Sequence, residues 1–270
     1  MKKVLVLCSV AALLLACATN PFTGKKTMAF VPDSSLFASS FQQYSTFIKE
    51  NKVVTGTSDA QMVQRVGAKI KSASEQWLKA NGYSNYLKDY KWEYKLVQDN
   101  TVNAWCMPGG KIVVYTGLMK IAQGEAGLAT VMGHEVAHAL ANHGQQRMSA
   151  GLLQQLVGAG VAVGTSEMNM SKETQELAMG AYGAGSNVFG MMPFSRKHES
   201  EADRIGLILM AIAGYNPDNA TSFWQRMSAQ SGSKTPELLS THPSDQTRIA
   251  NIKKLIPEAK AEAAKFGKKY

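Results

Sequence analysis

The sequence predicts an α+β fold, mostly helical, with one small β-sheet. Three observations carry that prediction. Apolar residues recur at helical spacing through residues 33–80 and again in segments between 125 and 255. Two short stretches between them follow a strand pattern: 91–98 sets Trp92, Tyr94 and Leu96 against polar neighbours, and 111–115 is a β-branched run. Hydrophobic residues make up 45% and charged residues 18% of the 270, a balance that suits a single globular core and excludes a disordered chain.

Taken in order, Lys2 and Lys3 precede an apolar run from Val4 to Ala16. The run has the length of a signal peptide and is too short to span a membrane. Residues 17–32 contain Asn20-Pro21, Gly24 and Pro32 and read as a tether with a short hairpin. Asp33 opens a helix to about Asn51, with Leu36, Phe37, Phe41, Tyr44, Phe47 and Ile48 on one stripe. Thr57-Ser58-Asp59 opens a second, carrying Met62, Val63, Val66, Ile70, Ala73 and Trp77 and stopping near Asn81-Gly82. Pro108-Gly109-Gly110 is a turn that leads into the strand Lys111 to Tyr115. A third helix covers Glu125 to Asn142, with Leu128, Val131, Met132, Val136, Ala139 and Leu140 as its apolar face. Residues 151–178 read as two buried helices with a loop. Residues 179–194, with Gly183, Gly185, Gly190 and several methionines, read either as an ordinary loop or as a lid over a pocket. Helices follow at 195–214, 217–228 and 244–255, and 257–270 is a charged, helix-prone tail. The domain proper is 33–256.

The formal net charge is +9. The excess is spread along the chain, and no stretch interleaves basic and aromatic residues as a nucleic-acid surface would, so no nucleic-acid partner is expected. An anionic membrane surface is the more natural partner, and a solvated basic surface more natural still.

The chemistry is concentrated in Gly133-His134-Glu135-Val136-Ala137-His138. Four residues apart on a helix, His134 and His138 present both imidazoles on one face, within reach of a single ion. Glu135 is displaced around the helix and stands beside that ion without binding it. A zinc ion lowers the pKa of a bound water, and a neighbouring carboxylate takes its proton and passes it to a leaving amine. Such a site needs a third protein ligand. A histidine six residues beyond His138 is excluded because that position is Gly144. His143 lies off the metal face and reads as a helix-end histidine. The helix at 195–214 offers Glu199 and Asp203 on one face: Glu199 as the ligand, Asp203 as acceptor of a ligand histidine's second N–H. Glu201 is the second choice for the ligand.

With Glu199-Ser200-Glu201-Ala202-Asp203 some sixty residues after the histidines, with NAWCMPGGKIVVYTGL before them and THPSDQTRI after, the chain resembles the HtpX/BepA/LoiP-type bacterial zinc metallopeptidases. This is the gluzincin family that also holds the CAAX prenyl proteases. The resemblance runs from Asn20 to Arg248 and implies a zincin-like metallopeptidase domain. It also implies one Zn2+ per chain on His134, His138 and Glu199, with Glu135 as base and Asp203 behind the ligands. The long multi-span segments and the tetratricopeptide repeats found in parts of the family are absent, which places the chain nearest the minimal LoiP-like lipoproteins. In keeping with this, Leu14-Leu15-Ala16-Cys17 resembles a bacterial lipobox, with cleavage before Cys17 and lipid on its thiol; an ordinary signal peptide is the alternative. Ala18 then favours the periplasmic face of the outer membrane, with a lipid anchor as the membrane contact. Cys106 is left alone, so no intramolecular disulfide is expected.

The resemblance also places His242 near the metal, either donating to an oxyanion or closing the open coordination position in a latent state. It makes the strand Lys111, Ile112, Val113, Val114 and Tyr115 an edge that pairs with extended substrate; an interior strand is the alternative. Arg248 is available to a site carboxylate, with nothing in the sequence to fix which. The reading is a zinc endopeptidase of the bacterial envelope acting on unfolded or misassembled envelope proteins. The rival is a chaperone or assembly factor for outer-membrane proteins with a latent metal site.

Overall fold

The computed structural model describes residues 17–151, 195–230, 236–242 and 246–270, together with positions 153 and 157. Much of the segment read as helices and lid, and all of the signal segment 1–16, lie outside the described residues.

The architecture is α+β and mostly helical. Strands β1 (Cys17–Thr19) and β2 (Lys26–Met28) form an antiparallel pair. Helix α1 (Asp33–Glu50) and helix α2 (Ser58–Ala80) flank the short strand β3 (Val53–Val54). Thr57 caps α2, its hydroxyl accepting from the Ala60 N–H at 3.1 Å. Strands β4 (Glu93–Val97), β5 (Ala104–Met107) and β6 (Lys111–Tyr115) complete a four-stranded sheet of order β3-β4-β6-β5. The β4–β6 pairing is parallel and the other two are antiparallel. Gly109 and Gly110 turn the β5–β6 hairpin at φ of 87° and 86°. At Gly109 a Cβ would meet the Phe41 ring at 2.5 Å, so the turn needs glycine twice over.

Helix α3 (Thr116–Ala122) leads into α4 (Glu125–Leu140), whose residues from Gly127 to Leu140 are all buried. After residue 194 come α5 (Arg196–Ile212), α6 (Asn219–Ala229), the short α7 (Glu237–Thr241) and α8 (Gln246–Ala264). The sheet is sandwiched. Ala104, Ile112 and Val114 join the main core with α2, α4 and α5, while Val113, Val97 and Tyr44 form a smaller cluster under α1. This alternation follows from the period of two along a strand.

Three expectations are corrected here. Strand β6 is hydrogen-bonded on both sides, to β4 and β5, so it is interior, and Ile112, Val113 and Val114 are fully buried. The edge is β5, which pairs with β6 alone among the described residues. The segment 17–32 forms the short hairpin expected of it but docks rather than acting as a tether: Phe22 is buried and stacks on Trp77 with ring centroids 4.2 Å apart, and Asn20 is buried. The tail is no separate piece either, since α8 runs through Pro257 and buries Ala259 and Ala263. Among the described residues no helix is long and apolar enough to cross a membrane.

Candidate active site

Two crossed helices build the site. Helices α4 and α5 meet where Gly133 and Gly206 face each other: a Cβ on Gly206 would lie 2.9 Å from the His134 nitrogen, and one on Gly133 would lie 2.9 Å from the Gly206 carbonyl. Only backbone can come this close. The contact brings His134, Glu135 and His138 of α4 against Glu199 and Asp203 of α5, all 5% exposed or less. His242, at the end of α7, arrives from a third direction and is equally buried.

One ligand atom each from His134, His138, Glu199 and His242 lies within 4.8 Å of the others. His134 Nε2 is 3.1 Å from His138 Nε2 and 3.4 Å from Glu199 Oε2, and His138 Nε2 is 3.2 Å from Glu199 Oε1. His242 Nδ1 stands 2.9 Å from Glu199 Oε1 and 3.2 Å from His134 Nε2. Donors around a tetrahedral ion at zinc distances sit roughly 3.4 Å apart, so these spacings fit one. Glu135 Oε1 is buried with no hydrogen-bond partner among the described residues, and the His242 ring is 3.5 Å away. Glu201, the second choice as ligand, points elsewhere: its carboxylate accepts from the Asn20 amide at 2.8 Å.

Each ligand is oriented from behind. Asp203 Oδ1 accepts from His134 Nδ1 at 3.0 Å, which leaves a lone pair on Nε2 facing the cluster. Arg248, from α8, donates to both oxygens of Asp203 at 2.8 Å and reaches Glu199 Oε2 at 2.9 Å. Its guanidinium lies 4.0 Å above the Trp224 ring. His143 Nδ1 sits 2.9 Å from His138 Nδ1. The chain turns there through Asn142 at φ 57°, a conformation asparagine tolerates, so His143 swings back under α4.

The electrostatics fit a site that gathers positive charge. Burial pulls His134 down, but the hydrogen bonds of Asp203 and Glu199 more than offset it and push its pKa up to about 9. Burial would raise Glu199, and the histidines against it hold it far below the usual carboxylate range instead. Burial raises Glu135, against the pull of His242 and His134. Burial keeps His138 well below its ordinary value. A cation on the nitrogens would take the place of the proton that His134 otherwise holds.

Residues 65–256 match the model of the family described as Peptidase family M48. The chain belongs to that family. Relatives include the mitochondrial metalloendopeptidase OMA1 of Schizosaccharomyces pombe, 36% identical over 65% of this chain and 50% of that protein. The Arabidopsis thaliana protein of the same name is 33% identical over 74% of this chain and 41% of its own length. The beta-barrel assembly-enhancing protease of Escherichia coli is 29% identical over 58% of this chain and 33% of its own. The chain thus spans about half the length, or less, of the curated relatives it matches.

These relatives overturn the expected placement on a bacterial outer membrane: two of the three are mitochondrial, and at the higher identities. The expectation rested on residues 1–16 and Cys17. An apolar run behind two lysines is a short signal, common to several kinds of targeting segment, and it does not fix a compartment.

One group, His143, stands where sequence reasoning did not put it, and the structure names the carboxylates that Arg248 was left to choose among. His143 was read as a helix-end residue because it lies off the helical face of His138. The signal that could have found it is Asn142-His143, a residue suited to positive φ just past the helix. Arg248 lies 45 residues beyond Asp203, and no local pattern joins them.

Proposed function

We propose that this M48 domain is a zinc endopeptidase that hydrolyses unfolded or misassembled polypeptides. The observation that carries the reading is the convergence of His134, His138 and Glu199 from two crossed helices, with the buried carboxylate of Glu135 beside them, its Oε1 making no hydrogen bond among the described residues. Two imidazoles and one carboxylate are a donor set of catalytic zinc, and His134, His138 and Glu199 would hold the ion. Once bound, zinc supplies a Lewis acid and makes a water acidic enough to be a nucleophile near neutral pH.

This chain's own groups do the rest. Glu135, raised by burial, takes a proton from the attacking water and returns it to the leaving amine. Asp203 holds His134 in the tautomer with its lone pair inward, and Arg248 fixes Asp203 and Glu199 in place. The edge strand β5, with Cys106 on the face toward the main core and Glu135, gives extended substrate a backbone ladder. That mode of binding makes few demands on side chains, which suits non-native chains as substrates.

The position of His242 supports a second reading of the resting state. Its Nδ1 sits among the ligand atoms and its Nε2 faces Glu135, so it closes the site as well as any substrate group would. A role in binding or assembly with a latent metal site rests on the same observation.

The first test compares zinc content and casein cleavage of the full chain with those of Glu135→Gln. About one zinc in both, with cleavage only in the wild type, is expected for a hydrolase of this kind. A folded wild type without zinc would sink the reading. His242→Ala separates the two roles of that residue: higher activity marks a closing ligand, lower activity an oxyanion donor. The assembly role predicts that Glu135→Gln still complements a deletion, and proteolysis predicts that it does not.

A further inference from the structure

Behind His138 the structure holds a second line of polar groups. His143, fully buried, places Nδ1 2.9 Å from His138 Nδ1. Its other nitrogen faces Glu201 Oε1 at 3.8 Å, and its ring stacks on His198 at 4.2 Å. Glu201 is held in turn by the Asn20 amide at 2.8 Å and faces Lys25 at 3.8 Å. Asn20 itself is 1% exposed and lies in the hairpin that precedes α1.

The hydrogens along this line are constrained. A metal on His138 Nε2 requires a lone pair there, so the proton of the neutral ring sits on Nδ1. Two ring nitrogens 2.9 Å apart need one donor and one acceptor, so His143 Nδ1 accepts and its own N–H is on Nε2, toward Glu201. We propose that His143 is a positioning residue for the ligand His138, that Glu201 supplies the negative charge behind it, and that the N-terminal hairpin, through Asn20, holds this charge in place. His134 rests directly on a carboxylate, Asp203; His138 reaches one through an intervening imidazole. The inference rests on the metallopeptidase reading. It adds that residues 17–32, outside the 65–256 family match, are coupled to the metal centre.

The test uses the full chain and zinc itself, titrated against a chromophoric chelator, with thermal unfolding as a check on folding. His143→Leu is expected to weaken zinc binding by roughly 10–100-fold, the usual effect of losing such a partner. His143→Asn keeps an acceptor near the Nδ1 position and is expected to recover most of the loss. Glu201→Gln keeps the shape and removes the charge, and is expected to weaken zinc about 10-fold or less. NMR of the zinc-bound protein is expected to show the His138 Nδ1–H as a strongly hydrogen-bonded proton in the wild type and as a shifted, faster-exchanging one in His143→Leu. Unchanged affinity in folded His143→Leu, or an unchanged His138 Nδ1–H signal, would overturn the role of His143. Unchanged affinity in Glu201→Gln would cut the line at His143 and remove the hairpin from it. If His143→Leu does not fold, His143→Asn and Glu201→Gln decide by the same readings. A wild type that takes up no zinc would sink the functional reading, whereas zinc bound equally well by wild type and folded His143→Leu would sink the positioning alone.

Discussion

Arg248 sits 8% exposed against the carboxylates of Asp203 and Glu199 and the imidazole of His134, and it sets the charge balance of the site. Asp203 and Glu199 both lie against its guanidinium, and both are held below the ordinary carboxylate range, with the burial that would raise them overcome. Arg248→Met keeps an apolar stem to cover Trp224 and removes the charge. Breaking a buried pair by deleting one partner strands the other, which costs about 3 kcal/mol or more. Urea unfolding with chelator present is expected to show that loss, and a difference below about half a kcal/mol would mean that water replaces the guanidinium. At this scale the sequence exposed the groups with local spacing: His134 with His138, and Glu199 with Asp203, each four residues apart on a helix. Arg248 and His143 were legible as residues and not as partners. One depends on a helix arriving from far along the chain and the other on a turn at positive φ.

Helical and strand periodicity placed most elements within a few residues, because burial of one face writes a period into the sequence. It did not give strand order. Ile112-Val113-Val114 is equally apolar as an edge or an interior strand, and only the pairing with both β4 and β5 decides. Nor did it give the crossing of α4 and α5, which depends on two glycines 73 residues apart. Gly206→Ala would put a methyl group 2.9 Å from the His134 backbone, and backbone cannot yield as a side-chain tip does. The helices are expected to move apart, with a stability loss of about 1–3 kcal/mol and a larger fall in zinc affinity than in stability, because ligands from both helices must meet. Equal zinc affinity in the variant would show that the crossing is not what sets the site. The start of α4 carries a pH dependence of its own. The Glu125 carboxyl is held low, chiefly by the Tyr215 hydroxyl that donates to it at 2.7 Å; burial opposes this, and Arg65 and Lys69 add smaller lowering effects. A carboxylate with a folded pKa below its unfolded value of about 4.3 stabilises above that value, and the contribution is lost as pH falls through the folded pKa. Glu125→Gln is therefore expected to lose a few tenths of a kcal/mol at pH 7 and less as the pH falls toward 3, a small effect because the side chain is 30% exposed. Urea midpoints of the two proteins at both pH values check it, and an equal gap at pH 3 would contradict it.

At the scale of the whole molecule, the hairpin of residues 17–28 and helix α8 pack against the helices that carry the site. Phe22 stacks on Trp77 of α2, and its carbonyl accepts from Arg204 of α5, which also pairs with Glu258 of α8. The sequence hid both packings for the same physical reason. Asn20-Pro21 and Gly24 are turn signals whether a loop is solvated or docked, and an alternation of lysine and alanine in a helix looks like a tail until its alanines are seen against a neighbour. The docking has a cost that can be measured. Phe22→Ala removes a buried aromatic ring and is expected to destabilise the protein by about 3 kcal/mol, since the pocket against Trp77 is lined by helices that cannot collapse into it. A tether would lose nothing measurable. Limited proteolysis distinguishes the cases without relying on global unfolding: cleavage between residues 17 and 32 is expected to quicken in Phe22→Ala while the domain from α1 onward stays intact. If wild type and variant are cut at the same rate, the hairpin is free in solution, and the line from Asn20 through Glu201 to the metal has no anchor.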